Sequence, residues 1–566
     1  MNSAVCSVNS YINHLRMPSV ISNGVELPNL DPLHLSRTET NTDDKNVKLK
    51  RVRANLNGTK NYLKEYCQNT SIHGFKYLTE KRSLCERYLW LLLISLSIGT
   101  CGFLISRIYY KFITSPVLVS FATKESPLSA VPFPAVTICP MTKARKSVYN
   151  FTRVVYDLQD HKNITDKEQL YGKYLSLVCN YGGRYFPLKD TFDDDFYEKI
   201  DEMKLNITHY TESCAFLTGD QVPCATLFQP IVLDESVCYT FNMLDRTAIF
   251  QDEVTHFKNY HLTEKTLNWD VDKGYGKVNA SRAFSTYPYK SYLSGYGNGL
   301  HITFKQLASE LDYLCLNNLQ GFSVNLHAPH VLPQLNKAFF QVSFGDAVMA
   351  LVTPKMMKTS QKVRKYHPDI RECYFTNEKP LRYFKQYTPS NCKLECYTNY
   401  TLKYCQCVQF YMPRNKTTPI CGTGKHICLQ IAEFTLKYMQ LQQSSKNDEK
   451  HAFFCDCKPS CVEITYDTKL SQSTWNYKER YLARHRKPIN DSYLYARLSV
   501  FFKQDSFLTS ERNELYGPTD FLANFGGLLG LFTGFSVLSL AEILYFLSIR
   551  VWCNVKLYKF WAGPKT

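Results

Sequence analysis

The sequence predicts a membrane protein with two transmembrane helices and a large, disulfide-rich α+β extracellular domain. Three observations carry that prediction. Tyr88–Ser106 contains no charge and Phe521–Ser548 contains one, Glu542, so each stretch is apolar enough to cross a bilayer as a helix. Sixteen of the 21 cysteines lie between these stretches, an even number, as complete pairing requires. Seven N-glycosylation sequons lie there too, at Asn150, Asn163, Asn206, Asn279, Asn399, Asn415 and Asn490. Hydrophobic residues at 44% and charged residues at 21% exclude wholesale disorder, and a mean hydropathy of −0.29 excludes a many-span transporter.

Taken in order, residues 1–87 form a cytoplasmic region whose first 60 residues read as a mobile polar tail, followed by SIHGFKYL (71–78). Residues 88–108 are the first span. They lie too far from the N-terminus for a signal peptide. Residues 109–520 are the extracellular domain, with strand-like runs AVTIC (135–139), CYTFN (238–242), GFSVNL (321–326) and YLYARLSVFFKQ (493–504). Within the cysteine-dense block 373–461, apolar residues at Ile427, Ile431, Phe434, Tyr438 and Leu441 predict an amphipathic helix packed by that face. Residues 521–549 are the second span and 550–566 a cytoplasmic tail. Lys76, Lys81, Arg82 and Arg87 before the first span, and Arg550, Lys556, Lys559 and Lys565 after the second, place both termini in the cytosol. The net charge of +17 then reads as a mildly basic surface, and no nucleic-acid partner is expected. Cys405-x-Cys407 and Cys455-x-Cys457 suit zinc or disulfides, and an oxidising compartment favours disulfides, with no metal site.

The second span carries the chemistry. Gly526, Gly530 and Gly534 recur every four residues, a spacing that lets helices approach closely in a membrane. Gly534-Phe535-Ser536 offers backbone carbonyls and a hydroxyl where the chain could bend, and Thr533 and Ser539 add further oxygens. Such hard ligands can replace the hydration of a small cation. Glu542 lies within the span, where a carboxylate usually faces a partner or water. One helix cannot enclose a pore, so several copies around the second span are implied.

Several motifs, in order, resemble the epithelial sodium channel/degenerin/acid-sensing channel family, most of all its insect pickpocket branch. They are His73-Gly74, FPAVTICP (133–140), CYTFN (238–242), GNGL (297–300), YTPSNCKLECYTNYTLKYCQCVQFYMP (387–413), C-x-C-x3-C (455–461) and LLGLFTGFSVLSLAEILYF (528–546). The resemblance implies a trimeric, sodium-preferring, amiloride-sensitive and non-voltage-gated cation channel of the plasma membrane, a homotrimer or a heterotrimer with related subunits. The gating stimulus would be an extracellular chemical or mechanical one. It implies that Gly534, Phe535 and Ser536 form the selectivity filter, that Ala523 is a gating position near Gly526 and Gly530, and that His73 and Gly74 are a cytosolic gating motif. It also implies the pairs Cys139–Cys238, Cys214–Cys224, Cys373–Cys461, Cys392–Cys457, Cys396–Cys455, Cys405–Cys428 and Cys407–Cys421, leaving Cys179 with Cys315. The chain departs from the family at Phe535, bulkier than usual, at Asn524, where acid-sensing members carry Asp, and at Val331, where an acidic residue is common. The last two weigh against proton gating. Two alternatives remain at this point: an ATP-gated type of trimeric channel and a non-conducting receptor or adhesion protein. No HExxH, GxSxG or phosphate loop is present, so no catalytic residue and no cofactor is expected, and His327 reads as structural.

Overall fold

The computed structural model describes residues 58–114, 117–179, 185–193, 195–217, 220–255, 269–276, 286–315, 319–445, 455–490, 492–515 and 517–564. The start of the N-terminal region (1–57) and the sequon at Asn279 lie outside the described residues. The chain divides into two compact units: Val117–Glu514, and the two terminal segments Met1–Pro116 and Leu515–Thr566.

In the terminal unit, helix α1 (Leu84–Thr114) has a mean hydropathy of 2.0 over its most apolar stretch and is long enough to cross a membrane. It outruns the expected 88–108 at both ends. Arg87 and Arg107 end the uncharged run, but as good helix formers they do not end the helix.

The disulfide-rich unit is built on twelve main strands: β1 (Val117–Phe121), β2 (Ala135–Pro140), β3 (Thr211–Phe216), β4 (Phe228–Leu233), β5 (Ser236–Phe241), β6 (Leu300–Leu307), β7 (Phe322–His327), β8 (Phe340–Val342), β9 (Asp346–Thr359), β10 (Glu463–Thr474), β11 (Tyr493–Phe502) and β12 (Ser510–Glu514). One sheet runs β1-β12-β9-β11-β6-β3, with β10 also paired along β9. The other runs β8-β7-β2-β5-β4. Strand β6 alternates, burying Leu300, Ile302 and Phe304 on one face. The central strands β2 and β5 are buried along their whole length, which is why AVTICP and SVCYTF read as continuous apolar runs. Aromatic rings join the sheets: Phe304 on β6 stacks on Phe322 on β7 at 4.1 Å, and Phe133 lies 5.2 Å from Phe216 and 5.3 Å from Phe502. Next to this core His327 is buried. Its Nδ1 lies 3.0 Å from the Ala328 carbonyl and its Nε2 2.8 Å from the Thr137 hydroxyl. Burial pushes the pKa of His327 down to about 4 and that of His330 to about 3.

Eight disulfides staple this unit: Cys139–Cys238, Cys179–Cys315, Cys214–Cys224, Cys373–Cys461, Cys392–Cys457, Cys396–Cys455, Cys405–Cys428 and Cys407–Cys421. Each Cys-x-Cys pair divides its two sulfurs between separate bridges. Helix α2 (Pro389–Cys405) starts at Thr388, whose hydroxyl accepts from the Asn391 amide, with Pro389 in its first turn. Of the described sequon asparagines, Asn163, Asn206, Asn399 and Asn490 are exposed and Asn150 and Asn415 half-buried.

Helix α3 (His426–Ser445) corrects one expectation. Its apolar stripe does not pack within the chain: Ile427 is 70% exposed, Phe434 71% and Leu441 69%, with Ile431 and Tyr438 also exposed. The helix instead buries Ala432 and Leu436. At about 100° per residue, those two lie on the same side as Cys428, roughly opposite the stripe. The Cys405–Cys428 bridge sets the rotation of the helix and turns its narrower face inward.

Candidate functional site: a broken helix and the loop seated on it

The second apolar stretch is not one helix. Helix α4 (Pro518–Thr533) ends at Gly534, and α5 (Val537–Leu544) begins after Ser536. A π-helical turn, Tyr545–Ile549, then leads into α6 (Arg550–Tyr558). Val537–Tyr558 is long and apolar enough to cross a membrane, with mean hydropathy 1.4. The helical region therefore starts before and ends after the expected 521–549.

Local chemistry explains the break. Gly534 takes φ 66°, ψ 17°, a left-handed conformation costing other residues about 1–2 kcal/mol. The Phe535 amide reaches back to the Leu529 carbonyl at 3.3 Å, closing the helix end. Ser536 is extended and restarts the helix. Its hydroxyl accepts from the Ser539 amide at 3.2 Å while the Ser539 hydroxyl accepts from the Ser536 amide at 3.0 Å. Gly-Phe-Ser is thus a stop followed by a start. The break removes the phase relation that an unbroken helix would impose between Gly534 and Glu542.

A segment more than 450 positions away in sequence seats on the break. The His73 amide donates to the Thr533 carbonyl at 3.0 Å, and the Ser97 hydroxyl of α1 donates to the Phe532 carbonyl at 2.6 Å. Two carbonyls left over at the helix end are thereby satisfied. The Ser71 amide and hydroxyl both donate to Glu542 Oε2 at 3.0 Å, and the Ser71 hydroxyl lies 2.7 Å from that of Ser539. Glu542 is therefore engaged by the N-terminal segment. A Cβ on Gly534 would fall 1.7 Å from His73 Nδ1, so glycine is required here by the close approach as well as by φ. Gly74 has φ 92°, which turns the chain away from the break toward α1. Among the described residues, no hydrogen bond is made to the carbonyl oxygens of Gly534 and Phe535. The Ser536 side chain beside them is exposed.

Upstream, Ala523, Gly526, Gly527 and Gly530 fall within about 100° of arc on α4. A Cβ on Gly526 or Gly527 would meet nothing within 4 Å, and one on Gly530 only the Phe535 carbonyl at 3.9 Å. Helix α1 packs on the other side, where Phe112 lies 5.0 Å and Tyr109 6.4 Å from Phe521. The small-residue face is thus left open by this chain.

Sequence reasoning singled out Gly534, Phe535, Ser536, His73 and Gly74, and the structure brings all five together. It missed Ser71 and Ser97. It also missed an aromatic and ionic cluster at the far end, where Tyr62 lies 5.7 Å from Trp561, Tyr66 lies 5.3 Å from Phe546 and Arg550 pairs with Glu65 at 2.5 Å. The paired placement of polar residues in SIHG and SVLS was the one available signal for the Ser71 contact.

Comparison with known proteins bears on this geometry. The family described as "Amiloride-sensitive sodium channel" matches residues 66–546. Pickpocket protein 28 of Drosophila melanogaster is 27% identical over 512 residues, covering 86% of this chain and 78% of its own. Acid-sensing ion channel 1C of Danio rerio is 24% identical over 513 residues, covering 86% and 83%. Among solved structures, a proton-activated chloride channel aligns at 7% identity and a TM-score of 0.26 over 82% of this chain and 96% of its own, too weak a likeness to bear on function.

Proposed function

The chain belongs to the amiloride-sensitive sodium channel family and is thus a cation-channel subunit, and from that premise we propose that it forms a sodium-selective, amiloride-blocked pore as a trimer. The observation that carries the reading is the interruption at Gly534–Ser536. There a helix of high hydropathy stops for three residues and leaves two backbone carbonyls free of internal partners, beside the exposed Ser536 hydroxyl that caps the next helix. Unsatisfied backbone inside a membrane is tolerated only where it lines a cavity or is buried in protein. Three copies of the Gly534–Ser536 segment around an axis supply a ring of hard oxygen ligands suited to a dehydrated small cation. The open face at Ala523, Gly526 and Gly530 permits the close approach this requires, with Ala523 as the gating position. The His73-Gly74 segment braces the filter from below through the Thr533 carbonyl. Both termini are cytosolic and Val117–Glu514 lies outside the cell, where its disulfides persist.

Whole-cell recording in a cell lacking related channels tests this. Wild-type current should carry sodium in preference to potassium and fall with amiloride. Ser536→Cys, at unchanged surface level, should shift the biionic reversal potential toward equal permeability. An unmoved reversal potential counts against the filter assignment.

A further inference from the structure

The geometry points to a binding site for a small organic anion with an apolar body, in a cavity of the disulfide-rich unit where the α2–α3 hairpin meets the β4–β5 turn. The cavity encloses about 390 Å³, within the range of roughly 300–1,000 Å³ typical of small-molecule pockets. Its walls are apolar and aromatic, formed by Leu233, Leu332, Leu394, Leu436, Tyr397 and Tyr411. Three lysines, Lys337, Lys393 and Lys437, line its solvent-exposed rim from three different segments.

The charges do not cancel within the protein. Lys437 pairs with Glu433 at 2.6 Å, one turn away on α3. Among the described residues, the side chains of Lys337 and Lys393 make no ion pair or hydrogen bond. The remaining acid on the wall, Asp234, accepts from the Asn336 amide at 3.1 Å, and the cation acting on it is Lys143. Lys337 is held below the ordinary lysine value first by desolvation and then by the positive charges of Lys393 and Lys437. A ligand anion relieves that repulsion, and its apolar body covers the leucine and tyrosine wall. The cations repel ammonium ligands of the same shape. Bound there, the ligand spans α2, α3 and the β4–β5 turn, joining the hairpin to the five-stranded sheet.

The test is calorimetric titration of the full-length protein in lipid nanodiscs, corrected for empty nanodiscs, with three probes sharing one body: 4-phenylbutyrate, 4-phenylbutan-1-ol and 4-phenylbutylamine. The carboxylate should bind at least about tenfold more tightly than the alcohol, and the amine most weakly. Lys337→Gln with Lys393→Gln should bring the carboxylate down to the level of the alcohol, while Lys337→Arg with Lys393→Arg keeps the preference. Should the glutamine pair fail to fold, raising salt about tenfold on the wild type must weaken the carboxylate and spare the alcohol. Equal affinity for carboxylate and alcohol, no carboxylate binding, or a glutamine pair that binds as wild type overturns the site. None of these readouts uses current, so failure here is distinct from failure of the channel reading.

Discussion

The extracellular unit and the membrane unit are held together by opposite means. Val117–Glu514 has a large apolar core, a second small buried cluster around Cys405, Cys407 and Cys421, and eight disulfides. Among the described residues of the membrane unit, only Tyr62, Cys101, Gly517, Ser539, Cys553, Asn554 and Gly563 are buried. Most large apolar side chains there face outward, and the segments meet through oriented hydrogen bonds from Ser71, His73 and Ser97 to the broken helix, the Tyr62–Trp561 and Tyr66–Phe546 ring contacts and the Arg550–Glu65 pair. One unit finds most of its burial within the chain. The other leaves most of its apolar surface uncovered by the chain itself.

The largest break in this contrast should come from a staple. Cys373→Ser opens the Cys373–Cys461 bridge, which links positions 88 residues apart, and losing such a bond typically costs about 2–5 kcal/mol. Mature surface protein should nearly vanish on surface biotinylation. Normal surface level would show that the core holds without its staples.

Next comes the seat of the loop. Gly534→Ala adds a left-handed penalty of about 1–2 kcal/mol and a collision with the His73 ring, so current should fall by about tenfold or more at normal surface level. Adding His73→Ala removes the collision and should restore part of the current. If Gly534→Ala conducts as wild type, the loop does not rest on the break.

A third measurement sets the pH response of the extracellular core. His327 is neutral when folded and takes a proton more readily when unfolded, so its contribution is complete above about pH 6.5 and is lost as pH falls toward 4. By pH 5 the loss is about 2 kcal/mol from this group alone. The melting temperature of the full-length protein should drop from pH 7 to pH 5, and by less in His327→Gln. Identical pH slopes would remove His327 from the account.

The smallest expected effect lies at Glu542. Glu542→Gln replaces a charge-assisted pair of bonds to Ser71 with neutral ones, a difference of about 1 kcal/mol. Cytosolic thiol reagent should then modify Ser71→Cys about fivefold faster than in the parent. An unchanged rate would mean that the loop is held by His73 alone.

Much of the fold was legible because its signals are local. Uncharged length marks a span, and uncharged runs rich in β-branched and aromatic residues such as AVTIC and CYTFN mark central strands. The α3 stripe shows where that legibility stops. Spacing established that Ile427, Ile431, Phe434, Tyr438 and Leu441 share a face, but not that Cys428, about 100° round the helix from it, is the anchored position. Periodicity reports which residues lie together, and only a tertiary restraint decides which way they point.

The candidate site divides in the same manner. The sequence by itself determined the break in the second span: glycine can take the left-handed turn, and a serine three residues before another can cap the next helix, whatever surrounds them. Only the tertiary structure decided which oxygens stay free. The Phe532 and Thr533 carbonyls are taken by Ser97 and His73 and the Glu542 carboxylate by Ser71, which leaves the Gly534 and Phe535 carbonyls open. Those partners lie more than 400 residues away along the chain, and no local pattern encodes a hydrogen bond whose donor and acceptor meet only when two distant segments pack together.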